Sequence, residues 1–327
     1  MIIIRTQGSE KIGFGHIRRS TYLASLMKHK NSVQFIINTD KTARRYLTDQ
    51  GFSHTLIKQV QKIDWTEVDT IIFDIRYFEE EDKLLLKKAR NNQLKTVQVT
   101  DLGLNPQDVD ILINGTLEGK NNIPVKSNQV ILSGPAFAIL HHKFIHFNKL
   151  QRNYYSKSKR VLLSLGGGVQ YRPLRNLIDL LYRHGFQLKI TGGFYLKKSS
   201  KKILKRIYPK IKFVGKIESL ARPLYEADFA IISPGITAYE AAAVGTPVLY
   251  YYYNADQKKS AELFENAGLG TVISDIGIVS EEKLLQSIQQ LTRQRRLQIG
   301  RDGKAMVDGK GIYRILEQMS KNGIIKT

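Results

Sequence analysis

The sequence predicts two parallel-sheet α/β domains in tandem, on three observations. Apolar, β-branched runs alternate with helical stretches along the chain; a polar, basic stretch interrupts the series near its middle; and each half opens with an apolar strand leading through a glycine-bearing loop into a helix. In the first half the strand-like runs fall at 2–5, 33–38, 70–74, 96–100, 111–114 and 130–133, with helical stretches such as 82–90 between several of them. The basic stretch HFNKLQRNYYSKSKR occupies 146–160, and VLLSL at 161–165 opens a second series, with strands at 187–191, 212–215, 229–233 and 247–252 and helical segments at 174–182 and 237–243. This places an N-terminal domain at 1–145, a linker at 146–160 and a C-terminal domain at 161–327. Ile312, Ile315, Leu316 and Met319 recur at helical spacing, so the second domain is expected to end in an amphipathic helix packed on one of the domains.

Composition narrows the function. With 51 Lys and Arg against 29 Asp and Glu, the net charge of +22 favours anionic partners such as nucleotides, phosphates or anionic lipid heads. Cysteine is absent, which excludes disulfides, thiolate metal sites and a cysteine nucleophile. The seven histidines show no metal-ligand spacing, so neither metal nor other cofactor is expected. The chain starts directly in a strand and holds no apolar run long enough to span a bilayer, which points to the cytoplasm.

Three stretches carry chemistry. IGFGHIRRS (12–20) connects the first strand to STYLASLM, offering flexible backbone at Gly13 and Gly15, a titratable imidazole at His16 and guanidiniums at Arg18 and Arg19. Such a strand–loop–helix junction suits an anion, although a tight turn with a solvated histidine explains the bare pattern equally well. SLGGGVQ sets Gly166, Gly167 and Gly168 after a strand, where backbone N–H groups can approach a diphosphate; its spacing fits neither the dinucleotide fingerprint nor the P-loop. ADFAIISPGITAYEAAAVGTPVLYYYYNADQ (227–257) ends a strand in Ser-Pro-Gly, with Thr237 the expected cap of a helix bearing Glu240 one turn inside. A carboxylate there can accept hydrogen bonds from both hydroxyls of a ribose while Gly235, Ile236 and Thr237 face phosphate, and Asp256 and Gln257 close the same expected nucleotide site. The tyrosines at 250–253 read as a strand with aromatics on both faces rather than as a stacking platform.

These residues resemble those of the glycosyltransferase-B fold enzymes that handle UDP-sugars. Within that fold the chain is similar to the UDP-2,4-diacetamido-2,4,6-trideoxy-β-L-altropyranose hydrolases of pseudaminic acid synthesis and the related spore-coat polysaccharide biosynthesis proteins. IGFGHIRR resembles that family's Ile-Gly-x-Gly-His-x-x-Arg, LSGPAFAILHHKF (132–144) its Leu-x-Gly-Pro-x-Tyr-Ala-Leu-Leu element, and VDGKGIYRI its closing Asp-Gly-x-Gly-x-x-Arg. The family's early Arg-x-Asp reads Arg5-Thr6-Gln7 here, its Asp-His-Tyr reads Asp74-Ile75-Arg76-Tyr77, and its Gly-Gly-Ser-Asp reads Gly166-Gly167-Gly168-Val169.

The resemblance implies two Rossmann-like domains facing across a cleft, the first on the sugar or acceptor side and the second on the UDP side. It also implies a metal-independent, inverting hydrolase that releases UDP from a UDP-linked acetamido-deoxy sugar, with water activated by His16. An imidazole suits that task because its ordinary pKa leaves a neutral, proton-accepting form abundant near pH 7. Arg18 is expected to anchor the loop, and Asp74 or Asp101 to orient His16 or the sugar, or merely to cap a loop. The alternative from another reaction class is a glycosyltransferase, whose base deprotonates an acceptor hydroxyl instead of water. The segment 194–216, with nine basic residues and no acidic one, favours a peripheral site at the anionic inner membrane face; a solvated basic surface explains it equally well. A nucleic-acid-binding module explains the charge but neither the paired glycine loops nor Glu240, so nucleic acid is not an expected partner.

Overall fold

Five consecutive residues, IIIRT, are buried without a break in β1 (Ile2–Thr6), as a parallel strand covered on both faces requires. The computed structural model describes residues 1–9, 12–101, 107–120, 129–166, 171–191, 196–215 and 217–326. After β1 the chain runs through α1 (Gly15–Met27), β2 (Val33–Ile37), α2 (Lys41–Asp49), β3 (Ser53–Leu56), β4 (Thr70–Asp74), α3 (Glu80–Asn91), β5 (Lys95–Val99), β6 (Ile111–Asn114) and β7 (Val130–Ser133). These strands form one sheet in the order β3-β2-β1-β4-β5-β6-β7, parallel at every pairing. Because the order reverses beside β1, the switch point lies between β1 and β4. Their register pairs Thr6 with Asp74, so both strands end level with one another. On one face Leu85, Leu86 and Ala89 of α3 close over Ile3, Ile36, Ile71 and Phe73.

The second series runs α4 (Lys143–Lys149), β8 (Arg160–Ser164), α5 (Tyr171–Arg183), β9 (Gln187–Thr191), α6 (Lys198–Ile207), β10 (Lys212–Val214), α7 (Ala221–Glu226), β11 (Phe229–Ile232), α8 (Ile236–Val244), β12 (Val248–Tyr250), α9 (Ala255–Asn266), β13 (Gly270–Val272), α10 (Glu281–Gln290) and α11 (Arg293–Met306). Its sheet has the order β10-β9-β8-β11-β12-β13, again wholly parallel, with the switch point between β8 and β11. Leu174, Leu177, Ile178 and Leu181 of α5, at helical spacing, close its core over Val161, Leu163 and Ile231.

The domain limits differ from the expected ones at both ends of the second series. The chain divides into Met1–Leu140 with Lys310–Thr327, and His141–Gly309. The expected linker at 146–160 is instead bound to the second unit. Asn148 Nδ2 donates to the carbonyls of Ala243, Lys304 and Val307, and Tyr154 Oη to that of Gly245. Arg152 donates to the carbonyls of Leu224, Tyr225 and Ala227, and burial pulls its guanidinium down to about 10. These donors satisfy carbonyls at the ends of α7, α8 and α11, which no intrahelical N–H can reach. Polarity alone made the stretch look like a linker, whereas its polar groups serve as caps.

The closing helix, α12 (Gly311–Lys321), belongs with the first unit rather than the second. It buries Ile312, Ile315 and Met319, and a Cβ on Gly311 would meet the Ala138 carbonyl oxygen at 2.3 Å, so the helix start lies directly on the turn after β7. Beyond it, the Ile324 carbonyl accepts a 2.7 Å bond from Thr70 Oγ1. Ile315→Ala should therefore destabilise the first unit by ~2–5 kcal/mol, the usual cost of emptying a buried aliphatic site. Urea unfolding followed by Trp65, the single tryptophan and a resident of that unit, checks this; an unmoved transition contradicts the assignment.

Candidate functional site

The first unit's site is built on a helix that begins earlier than the sequence suggests. The expected helix started at STYLASLM, but α1 starts at Gly15, and His16, Arg18 and Arg19 lie in its first turns rather than in a loop. Gly13 makes the sharp entry: with φ of 86° it occupies left-handed backbone, and its N–H donates to the Ser9 carbonyl at 2.7 Å. His16, Arg19 and Ser20 then stand at i, i+3 and i+4, on one face of α1. All three meet Asp74 at the end of β4.

The contacts are short and numerous. His16 Nδ1 lies 2.8 Å from Asp74 Oδ1; Arg19 Nε donates to both carboxylate oxygens at 2.9 Å and its Nη2 to Oδ1 at 2.6 Å; Ser20 Oγ donates to Oδ2 at 2.8 Å. Arg19 Nη1 also reaches Asp101 Oδ1, just beyond β5, at 2.5 Å. His16 Nδ1 is 3.0 Å from Arg19 Nη2 as well, but the ionised Asp74 carboxylate can only accept, so its 2.8 Å contact with Nδ1 requires an N–H on that nitrogen. Nδ1 therefore carries the proton and donates to Asp74, and in the neutral ring Nε2 is the nitrogen with the lone pair. Nε2 lies 4.0 Å from Asp101 Oδ2, too far for a hydrogen bond.

Asp74 is only 1% exposed. Burial alone raises a carboxyl pKa, but the Arg19 charge and the His16 contact outweigh it and hold Asp74 at about 2. For Arg19 burial works against the charge and the two aspartates override it, so the guanidinium stays charged above its ordinary value.

Arg18 does not join this group. It turns along α1 to donate from Nε and Nη2 to Tyr22 Oη at 3.1 and 2.7 Å. The family-like His-x-x-Arg spacing falls on Arg19, and the i, i+3, i+4 pattern in HIRRS would have selected Arg19 and Ser20 had the helix been started at Gly15. Arg5 is likewise committed elsewhere, to Asp82 at 2.6 Å, where Asp82 also closes the capping box of α3.

In the second unit, Gly166 follows β8 and Gly235 follows β11, the two strands that flank the switch point. The Ser233 N–H and Oγ donate to the carbonyls of Ser164 and Leu165, both at 3.2 Å, and tie the two turns together. Gly167 lies outside the described residues. Thr237 is not the cap of α8: the helix begins one residue earlier, Gly235 holds the cap position, and no side chain caps it. The helix start is accessible at Gly235, half-buried at Ile236 and Thr237, and Glu240 is fully buried one turn inside. α11 backs α8 closely, since a Cβ on Gly303 would meet the Ala242 carbonyl oxygen at 2.9 Å. Asp256 is exposed in the first turn of α9, and Gln257 Oε1 accepts from the Tyr253 N–H at 3.0 Å. Tyr250, Tyr251 and Tyr252 are all buried. Among the described residues no group of three or more His, Asp or Glu side chains could hold a metal ion, and no helix is long and apolar enough to cross a membrane.

Two parallel α/β units with these connections define a glycosyltransferase-B fold. The structure superposes on MurG of Acinetobacter baumannii with a TM-score of 0.66 at 13% identity, covering 98% of this chain and 99% of the other. It also superposes on the UDP-GlcNAc 2-epimerase of Neisseria meningitidis bound to UDP-GlcNAc, with a TM-score of 0.59 at 12% identity and 98% and 100% coverage. In sequence the chain is similar to the spore coat polysaccharide biosynthesis protein SpsG of Bacillus subtilis, 25% identical over 334 residues and 95% of each chain. No family model matches the chain.

The Asp74 depression gives a signed prediction. A carboxyl held low in the folded state stabilises above its unfolded pKa, near 4, and that contribution is lost as pH falls through about 2; linkage makes it roughly 2 kcal/mol. Asp74→Asn also leaves Arg19 buried with half its compensation, so the loss at pH 7 should reach ~3–5 kcal/mol. Thermal unfolding of both proteins from pH 7 to pH 2 should show the gap narrowing below pH 4; a constant gap contradicts the assignment.

Proposed function

We propose that this chain is a UDP-sugar enzyme of surface-polysaccharide synthesis, a hydrolase that releases UDP and free sugar from a UDP-linked acetamido-deoxy sugar. The observation that carries the reading is the His16–Asp74–Arg19 group at the switch point of the first sheet. Asp74 fixes the ring with Nδ1 protonated, so Nε2 can take a proton from water as the water oxygen bonds to the anomeric carbon. The bond from that carbon to the phosphate oxygen breaks, UDP leaves with the electron pair, and the proton returns from Nε2 to solvent. Asp74 keeps its charge throughout, since a carboxyl at about 2 does not take the proton.

The second unit supports the nucleotide half of the reading. The start of α8 has no side-chain cap, so its first N–H groups are available to the diphosphate, with Glu240 assigned to the ribose and Gly166 and Gln257 to the margins of the same site. The similar proteins point the same way: one is a spore coat polysaccharide biosynthesis protein, and one is bound to UDP-GlcNAc.

Glycosyl transfer is the second reading, because Nε2 can take a proton from a hydroxyl as well as from water. The acid-free basic segment favours it, since that surface suits an acceptor carried by a lipid. A panel of UDP-sugars incubated without acceptor separates the two: free UDP with free sugar means hydrolysis, and no turnover until an acceptor is added means transfer.

His16→Asn should leave UDP affinity unchanged in calorimetry and lower turnover by roughly 10²–10⁴-fold, the usual share of a general base. Retained turnover removes His16 from the chemistry. Glu240→Gln should weaken UDP binding by ~1–3 kcal/mol, and an unchanged affinity in the folded variant removes the ribose contact.

A further inference from the structure

We propose that α6 is a membrane-docking helix, which lays its exposed isoleucines and basic side chains on an anionic lipid bilayer. Between residues 196 and 215 the chain carries eight Lys or Arg and no Asp or Glu. Lys198, Lys202, Lys205 and Arg206 of α6 are exposed, as are Lys210 and Lys212 after it. None of these six cations makes an ion pair with a carboxylate among the described residues.

A basic surface alone is common in a chain of charge +22, but α6 adds an apolar feature. Leu204 is fully buried and holds the helix to the core, whereas Ile203 and Ile207 are 45% and 44% exposed. At 100° per residue the two isoleucines fall together on one flank of Leu204, Arg206 and Lys202 stand next to them on the solvent side, and Lys205 and Lys198 lie beyond. An apolar flank bordered by long basic side chains is the arrangement of a helix lying in the headgroup region: the isoleucines enter the acyl boundary and the cations remain with the phosphates. Nucleic acid satisfies the charges but offers nothing to the isoleucines, so lipid is the better match.

Co-sedimentation of the full chain with phosphatidylcholine vesicles, with and without phosphatidylserine, tests the proposal. The protein should bind only the serine-containing vesicles, and less as salt rises. Reversing charge at four exposed positions (K198E, K202E, K205E, R206E) should lower partitioning at least ~100-fold. The double variant I203A and I207A, which changes no charge and removes no buried side chain, should lower it at least ~10-fold. This second variant keeps the test decisive if the charge-reversed protein folds poorly. Absence of vesicle binding, equal binding to neutral vesicles, or full binding by the isoleucine variant overturns the proposal. Binding to single-stranded RNA without binding to vesicles also overturns it and assigns the surface to nucleic acid.

Discussion

One buried carboxylate, Asp74, sets the construction around the first unit's switch point. An ionised group with 1% exposure is tolerable only if its charge is met and its lone pairs are filled, and here Arg19, His16 and Ser20 do both. That requirement fixes α1: His16, Arg19 and Ser20 must share a face, so the helix must already be formed at Gly15. The turn at Gly13 follows from the same demand, because the chain leaves β1 beside Asp74 and has to return above it within a few residues. Ser20 Oγ, 3.2 Å from Thr6 Oγ1, closes the group onto the end of β1.

The second unit answers a different electrostatic problem. α8 carries no charged residue except the buried Glu240. Its carboxyl end is closed by Asn148, Tyr154 and the left-handed Gly245, while its amino end has no side-chain cap. One end is thus capped by side chains and the other is not. The two units differ, each at its own switch point: the first concentrates ionised side chains there, the second leaves backbone donors without a side-chain cap.

The central strands were legible because parallel strands buried on both faces show as unbroken apolar runs, and every such run became a strand. β3 and β13 were not, for SHTL and GTV are short outer strands whose half-exposed positions need no apolar residue. His16 could be singled out from the glycine-bearing junction and the family resemblance, and Asp74 from the end of its strand, whereas Arg19 depended on a helix boundary that the two glycines concealed. Thr237 was misassigned for the related reason that a hydroxyl near a helix start looks like a cap. The segment 146–160 and the closing helix exceeded local pattern altogether, since whether a polar stretch caps a helix, or which unit a tail covers, is decided by contacts distant in sequence.

The claim on which the functional reading depends is that Asp74 holds the His16 ring with its proton on Nδ1. Nitrogen-15 correlation of the histidine rings near pH 7, with His16 assigned by its absence from the His16→Asn spectrum, measures this directly. The expected result is a protonated Nδ1 and a proton-free Nε2 at His16, with that preference lost in Asp74→Asn. A ring that carries a proton on Nε2 at that pH would contradict the account.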